Sequence, residues 1–265
     1  MTDKKNKSLV PLVSIITVTF NAEEHLEETI DSVLNQTYKN IEYIIIDGGS
    51  TDSTVDIIKK YEKKIDYWVS EKDAGIYDAM NKGLKAFAGD IIGILNADDF
   101  YVNDAVEKSV EALLESGLDY SVGDIIKIPS HVIVAPVYPL ISASYQGMMY
   151  PHIGAFIKKE VYNKVGFFDT RYKLAADFEM AMRIHTAGFK AIYVRQIIGR
   201  INEGGASASQ LTKKENMNIA VEYGKNAFMA RIDYWRYRLQ SLLHYCCPSS
   251  YLKFAKKIKS CLKHG

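Results

Sequence analysis

Strand-like and helix-like segments alternate along the first half of the chain, and this alternation constrains the fold more than any other feature. Apolar, β-branched runs recur, and the segments between them carry apolar residues at helical spacing. The predicted strands are 12–19, 41–46, 65–69, 91–95 and 120–126, and the predicted helices are 23–36, 54–61, 76–87 and 103–115. Such alternation predicts an α/β fold with a mostly parallel, Rossmann-like sheet flanked by helices.

Polar residues follow the first four predicted strands, at the edge where open parallel sheets bind ligands. In strand order they are Thr19-Phe20-Asn21, Asp47-Gly48-Gly49-Ser50-Thr51-Asp52, Glu71-Lys72-Asp73 and Asn96-Ala97-Asp98-Asp99. Helix capping explains part of this pattern, because Asp, Asn, Ser and Thr are common N-caps. The set as a whole predicts a ligand site at this edge.

The loops lack the usual glycine signatures of phosphate binding. The chain has no Gly-x-Gly-x-x-Gly after the first strand and no Gly-x-x-x-x-Gly-Lys-Ser/Thr. Dinucleotide-cofactor and P-loop chemistry are therefore not expected. Carboxylates repel phosphate, but a hard divalent cation between them reverses that sign. Asn96 to Asp99 thus predict a Mg²⁺ or Mn²⁺ site.

Six segments match the motifs of one enzyme family in order and spacing. They are Val13 to Asn21, Ser32 to Tyr38, Glu42 to Asp52, Asp73 to Gly83, Asn96 to Asp99 and Ala175 to Phe178. Together they resemble family 2 inverting glycosyltransferases of the GT-A fold, and more narrowly the bacterial members that build capsule, exopolysaccharide and O-antigen repeats. The resemblance covers residues 12–210. It implies an enzyme that moves a sugar from a UDP-sugar to a hydroxyl of a saccharide acceptor.

The resemblance also implies roles for single residues in donor binding. Thr19 and Asp47 resemble uridine contacts, with the Asp47 carboxylate accepting from the uracil ring N–H and Ser50 supporting its loop. Lys82 is open to a second interpretation as a solvated helix charge. The expected nucleotide-sugar-binding set is Thr19, Phe20, Asn21, Asp47, Ser50, Asn81, Lys82, Asn96, Ala97, Asp98 and His152.

The same resemblance implies a bound metal ion, Mn²⁺ or Mg²⁺. Asp98 matches the metal-binding acid of the family's Asp-x-Asp motif, and Asp99 is its acidic neighbour. Asn96 stands where many relatives have the first Asp. An amide can still bond a ribose hydroxyl or a metal-bound water, but this change removes one negative charge from the site.

The second half of the chain is expected to supply the catalytic base and the acceptor side. Asp177 matches the family's base and opens a predicted helix over 178–186, although an N-cap role is the simpler alternative. Glu179 is expected to be a solvated helix residue. His152 resembles a histidine near the donor sugar, or is structural. Gly204 to Ser207 resemble a loop over the diphosphate, or mark a turn.

Two other functions fit parts of this pattern. Asp98 and Asp177 could imitate the two carboxylates of a glycoside hydrolase, but hydrolysis has no use for a uridine pocket. A non-catalytic subunit of a polysaccharide assembly would also keep the fold, yet both acids are present here. Transfer to a polyprenyl phosphate instead of a sugar hydroxyl stays open.

Charge is divided unevenly along the chain. The whole sequence has 33 Lys plus Arg and 32 Asp plus Glu, yet residues 225–265 carry a large excess of Lys and Arg. Apolar residues recur at helical spacing in this tail, which predicts a basic helical C-terminal extension that contacts anionic lipid, or packs on the domain with its lysines in water. Nucleic acid is not an expected partner, because the tail resembles no base-reading module.

The composition and the first residues of the chain limit the class of protein and its expected location in the cell. With 48% hydrophobic and 25% charged residues the chain is globular and not disordered. The first residues do not resemble a signal peptide, and three cysteines near the end form no metal or disulfide pattern. A cytoplasmic enzyme at the inner face of the plasma membrane is expected.

The chain is predicted to have four parts. They are an N-terminal tail at 1–11, a nucleotide-sugar-binding half at 12–126, an acceptor-binding and catalytic-base half at 127–215, and the basic helical extension at 216–265.

Overall fold

The computed structural model describes residues 10–136, 150–203, 209–232 and 234–235, and the predicted alternation is confirmed there. The strands are β1 (Val13–Thr19), β2 (Ile41–Asp47), β3 (Tyr67–Ser70), β4 (Ile91–Asn96), β5 (Asp99–Tyr101), β6 (Tyr120–Ile128), β7 (Ile133–Val134), β8 (Ala155–Lys158) and β9 (Ala191–Asn202). The helices are α1 (Leu26–Leu34), α2 (Thr54–Tyr61), α3 (Ile76–Ala86), α4 (Ala105–Ser116), α5 (Lys159–Val165), α6 (Ala176–Thr186) and α7 (Gln210–Glu222).

The strands form a single sheet in the part of the chain that the structure describes. Its order is β3-β2-β1-β4-β8-β6-β9-β5, with β7 paired to β6. β3, β2, β1 and β4 are mutually parallel, and β6 is parallel to β9. Most paired residues therefore lie in parallel ladders, as predicted, and the two predicted halves of the chain share one sheet.

β8 reverses direction between the two halves. It runs antiparallel to β4, with Ile92 opposite Ile157, and antiparallel to β6. Because of this reversal, the residues just before β8 lie at the edge where β4 ends. His152 to Gly154 form a short 3-10 helix at that point, so the second half of the chain reaches the predicted ligand edge.

The core lies on both faces of the sheet. Ile15 and Ile16 are adjacent in β1 and fully buried, and they belong to different apolar clusters. Ile44 and Ile45 in β2 divide in the same way. This alternation follows from the two-residue period of a strand. Both faces of the central strands are thus covered, which explains why they read as unbroken apolar runs.

Strands β5, β7 and β9 were not predicted from the sequence. β5 begins at Asp99, inside the segment expected to be a loop. β9 mixes apolar residues with exposed Arg195 and Gln196, and its register to β6 shifts near Gly123 and Asp124. This irregularity breaks the apolar alternation, so the segment does not read as a strand. Residues 153–157 are apolar and strand-like in sequence, but β8 begins only at Ala155, after the 3-10 helix.

Several predictions concern residues outside the described ranges. The predicted diphosphate loop, Gly204 to Ser207, lies there, as does most of the basic extension, from residue 236 onwards. Between α7 and that point, residues 227–232 are helical and Ala230 is buried. Among the helices that the structure describes, none combines the length and apolarity needed to cross a bilayer.

Candidate active site

The Asp47 carboxylate organises the loop that follows β2. It accepts hydrogen bonds from the backbone N–H groups of Gly49 (3.1 Å) and Ser50 (3.0 Å), and from the hydroxyls of Ser50 and Ser70. Asp47 has no exposed surface. In this structure its oxygens serve these four donors, and the expected contact with a uracil N–H stays a prediction.

The loop after β1 presents an aromatic ring to solvent. Phe20 is 61% exposed, whereas the hydroxyl of Thr19 is buried and has no partner among the described residues. Asn21 adopts a positive φ of 48°, and its side chain accepts from the N–H of Thr51 while its own N–H donates to Ser50. These hydrogen bonds of Asn21 thus tie the first two loops together next to Phe20 in the chain.

The turn between β4 and β5 separates its two carboxylates. Asp98 is partly exposed, whereas Asp99 is buried and accepts from the Asn96 amide at 3.1 Å. Burial, and after it the charge of Asp98, raises the pKa of Asp99 well above its usual range. Asp98 is therefore the accessible acid of this turn, and the expected role of Asp99 as a metal ligand stays a prediction.

Asp177 lies at the start of α6, as expected. The N-cap position is occupied by Ala175, and the Asp177 carboxylate accepts from the N–H of Phe178 at 2.8 Å. Its other oxygen lies 3.9 Å from Nδ1 of His152. Asp177 therefore does not occupy the N-cap position of α6. Its carboxylate instead lies beside His152, the histidine that the sequence also singled out.

His152 connects the two acids electrostatically. Burial lowers the pKa of His152, while the charges of Asp177 and Asp98 act in the opposite direction. Its Nε2 is buried and has no hydrogen-bond partner in the described residues. His152 and Asp177 line a pocket together with Tyr150, Tyr162 and Phe168. His152 therefore lies beside Asp177 in this pocket.

Tyr77 was not singled out from the sequence, although it lies within the Asp73 to Gly83 motif. Its hydroxyl donates to Asp177 at 3.1 Å. Burial and then the charge of Asp177 raise the pKa of the phenol, so it stays protonated and can donate. Tyr77 is therefore a candidate positioning residue for Asp177, contributed by the donor half of the chain.

Asn81 and Lys82, both expected to bind the nucleotide sugar, contact other parts of the protein in this structure. The Asn81 amide is buried and pairs with the backbone of Phe168 in both directions, at 2.9 Å and 2.8 Å. Lys82 forms an ion pair with Glu71 at 2.9 Å and donates to the backbone of Lys72. Asn81 therefore joins α3 to the segment before Asp177, and Lys82 joins α3 to the loop after β3.

α7 supports the segment that leads into Asp177. Glu215 is buried and accepts from the N–H groups of Lys173 and Leu174, each at 2.9 Å. The expectation of a solvated Glu179 is wrong, since this residue is buried, pairs with Arg183 at 2.6 Å and accepts from the Tyr223 hydroxyl. These contacts fix the orientation of α6 from its outer side.

The described residues hold no group of three or more His, Cys, Asp or Glu side chains arranged to bind a metal ion. Two oxygen ligands of the predicted site nevertheless remain available. Asp98 is accessible, and Oδ1 of Asn96 is buried without a hydrogen-bond partner there. Mg²⁺ typically binds one or two carboxylates and completes its shell with waters and substrate phosphates. The residues of this turn therefore fit such an ion.

A family comparison identifies the chain. The family model described as glycosyl transferase family 2 matches residues 14–173. The chain belongs to this family. The glycosyltransferase is similar to one from Mycobacterium tuberculosis, with 36% identity over 65% of this chain and 68% of that protein. It is also similar to TuaG of Bacillus subtilis, a glycosyltransferase named for teichuronic acid biosynthesis, with 39% identity over 42% of this chain and 45% of TuaG.

Solved structures share the fold of this glycosyltransferase. TarS of S. aureus in complex with UDP-GlcNAc has a TM-score of 0.68 at 15% identity, covering 84% of this chain and 70% of that one. A mannosyltransferase from Pyrobaculum calidifontis in complex with GDP-Man and Mn²⁺ has a TM-score of 0.65 at 17% identity, covering 97% and 82%. The predicted GT-A fold and the enzyme class are confirmed.

Proposed function

We propose that this enzyme transfers a sugar from a UDP-sugar to a hydroxyl of a saccharide acceptor, with inversion at the anomeric carbon. The supporting observation is that Asp177, the candidate base, lies 3.9 Å from His152 and accepts a hydrogen bond from Tyr77 of the donor half, so the base lies beside the donor part of the chain. The TarS structure with UDP-GlcNAc supports the donor class. The name of TuaG supports a role in the synthesis of a bacterial surface polysaccharide.

Asp177 is the proposed general base. Its carboxylate takes the proton of the acceptor hydroxyl while the hydroxyl oxygen attacks C1 from the face opposite the leaving UDP. The new bond joins C1 to the acceptor oxygen, and the bond from C1 to the phosphate oxygen breaks with its electron pair leaving on UDP. A single displacement inverts C1 without a covalent nucleophile.

Tyr77 and His152 prepare this base for its role. The Tyr77 hydroxyl fixes one carboxylate oxygen, which leaves the other to face the acceptor. The lowered pKa of His152 keeps the imidazole neutral near neutral pH. Because a neutral histidine does not pair with Asp177 as a charge, the carboxylate is not neutralised by a fixed cation.

Asp98, with Asn96 beside it, is the proposed ligand set for Mn²⁺ or Mg²⁺. When bound, such an ion supplies positive charge that stabilises the departing diphosphate. The Mn²⁺ in the mannosyltransferase complex supports a divalent ion. Thr19, Phe20, Asn21 and Ala97 are the proposed nucleotide contacts of this chain, with Ser50 supporting their loop.

A lipid-linked saccharide on the inner face of the plasma membrane is the proposed acceptor, and the basic tail is the proposed membrane contact. The described part of the tail exposes Phe228 (71%) and Trp235 (63%). Aromatic side chains next to basic residues favour a lipid interface. Flotation with anionic and neutral liposomes tests this contact: the full chain should bind anionic vesicles in a salt-sensitive manner, and a chain ending near Tyr223 should bind less.

Purified enzyme incubated with a panel of UDP-sugars and saccharide acceptors tests the reaction. We expect acceptor-dependent UDP release that requires a divalent ion and is lost with EDTA, and a product of inverted anomeric configuration by NMR. Release of free sugar without an acceptor would support hydrolysis instead. Nucleotide binding without turnover on any acceptor would support a non-catalytic subunit, and turnover only with a polyprenyl phosphate would change the acceptor class.

A further inference from the structure

Two carboxylates, Asp47 at the end of β2 and Asp73 in the loop after β3, differ in availability. Asp47 is fully buried and serves four donors. Asp73 is partly exposed. Its Oδ1 accepts from the N–H of Gly75 at 2.9 Å, and its Oδ2 has no hydrogen-bond partner in the described residues. One oxygen of Asp73 is therefore held in place while the other is open to a ligand.

Gly48 is the residue that makes room for this carboxylate. A Cβ atom at position 48 would lie 2.4 Å from Oδ2 of Asp73 and 3.4 Å from Cδ2 of Phe20. The backbone of Gly48 does not have a positive φ, so its conformation does not require glycine. The limited space does require glycine, because the side chain of any larger residue at position 48 would displace the Asp73 carboxylate.

The open oxygen of Asp73 and the exposed Phe20 ring thus both lie next to Gly48. This arrangement suits a planar heterocycle with an N–H on its edge, because the ring can stack on Phe20 while the carboxylate accepts from the N–H. The loop holding Asp73 is itself fixed, since Asp78 accepts from the N–H of Ala74 at 3.0 Å. The site is built before a ligand arrives.

We propose that Asp73, and not Asp47, selects the nucleobase of the donor by accepting the N3–H of uracil, with Gly48 providing the space. The inference rests on the proposed UDP-sugar donor. A carboxylate only accepts hydrogen bonds. Uracil offers a donor at N3, whereas cytosine has a lone pair there, so Asp73 favours uracil and repels cytosine.

Asp73→Asn tests the inference through base preference. The variant has an amide N–H₂ that can donate to cytosine N3, so the ratio of CDP affinity to UDP affinity should rise by about 10-fold or more. The measurement is calorimetric titration of the full chain with UDP and with CDP, both with Mn²⁺. Asp56→Asn is the matched control, since Asp56 is an exposed carboxylate on α2 that pairs with Lys59 at the surface, and its change should leave the ratio unchanged.

Gly48→Ala is a second variant that keeps Asp73 itself. We expect it to weaken UDP binding by displacing the carboxylate, and to have no further effect in the Asp73→Asn background. Circular dichroism establishes that each variant is folded. An unchanged CDP to UDP ratio in folded Asp73→Asn protein would overturn the inference. Wild-type enzyme that binds no UDP, or prefers GDP, would instead overturn the proposed donor, whatever the variant does.

Discussion

The Tyr77 hydroxyl lies 3.1 Å from Oδ1 of Asp177 and donates a hydrogen bond to it from the other half of the chain. Tyr77 lies in the first turn of α3, beside the donor loops, and Asp177 lies in the first turn of α6. One hydrogen bond thus links the donor-binding part of the enzyme to its proposed base. The orientation of Asp177 should depend on it.

Tyr77→Phe should lower kcat by about 10-fold with little change in KM, because a lost hydrogen bond to a charged group is worth roughly 1.5–3 kcal/mol and only part of that affects the transition state. Steady-state UDP release measures both constants. Tyr162→Phe is the control: Tyr162 lines the same pocket but donates no hydrogen bond to Asp177. Equal losses in both variants would mean that the effect is packing and not positioning.

Asp177→Asn should lower kcat by roughly 10²- to 10⁴-fold while UDP affinity stays near that of the wild type, since the change removes the proton acceptor and keeps the side-chain size. Turnover assays and UDP titration measure the two quantities separately. A variant with nearly full turnover on an ordinary hydroxyl acceptor would contradict the role of Asp177 as base.

Asp47→Ala should lower the free energy of unfolding by about 2–4 kcal/mol, because it leaves two backbone N–H groups and the Ser70 hydroxyl without their acceptor in a buried site. Urea denaturation measures the change. Asp56→Ala is the control, as Asp56 is exposed and pairs only with Lys59 at the surface; we expect a change within about 0.5 kcal/mol. Normal stability combined with lost UDP affinity would restore Asp47 as the uracil contact.

Stability should fall in mild acid because of His152. Its pKa in the folded state is lowered below the ordinary value of 6.5, so below about pH 6.5 the unfolded chain binds a proton that the folded chain does not. This loss grows as the pH falls towards the lowered pKa and vanishes above pH 6.5. Asp177 and Asp98, which face the imidazole, reduce the effect without reversing it.

His152→Gln should therefore show a smaller drop in Tm than the wild type between about pH 7.5 and 5.5. Thermal unfolding followed by circular dichroism measures the difference. His25→Gln, a change at an exposed histidine, should behave like the wild type. The same pH dependence in all three proteins would show that His152 is not the responsible group.

Much of the fold could be predicted because the central strands are buried on both faces and read as continuous apolar runs. β9 could not, since Arg195 and Gln196 lie on an exposed stretch beside a register shift. The site edge was predictable from the polar residues after each strand. The sequence did not predict which polar side chains are available to a ligand. Asp47 accepts a hydrogen bond from the Ser70 hydroxyl, and Asn81 donates one to the Phe168 backbone. Such contacts between distant parts of the chain leave no local sequence pattern.

The reversal at β8 has a consequence for engineering this enzyme. The acceptor half joins the donor half in part through the short antiparallel ladder of Ile91 to Gly93 with Phe156 to Lys158, besides the pairing of β5 with β9 and of β6 with β8 and β9. A chimera that exchanges the acceptor half with that of a relative must keep this ladder in register, because a shift of one residue would turn Phe156 to the opposite face and move His152 away from Asp98. A transplant of acceptor specificity must therefore preserve the match between β8 and its partner positions on β4.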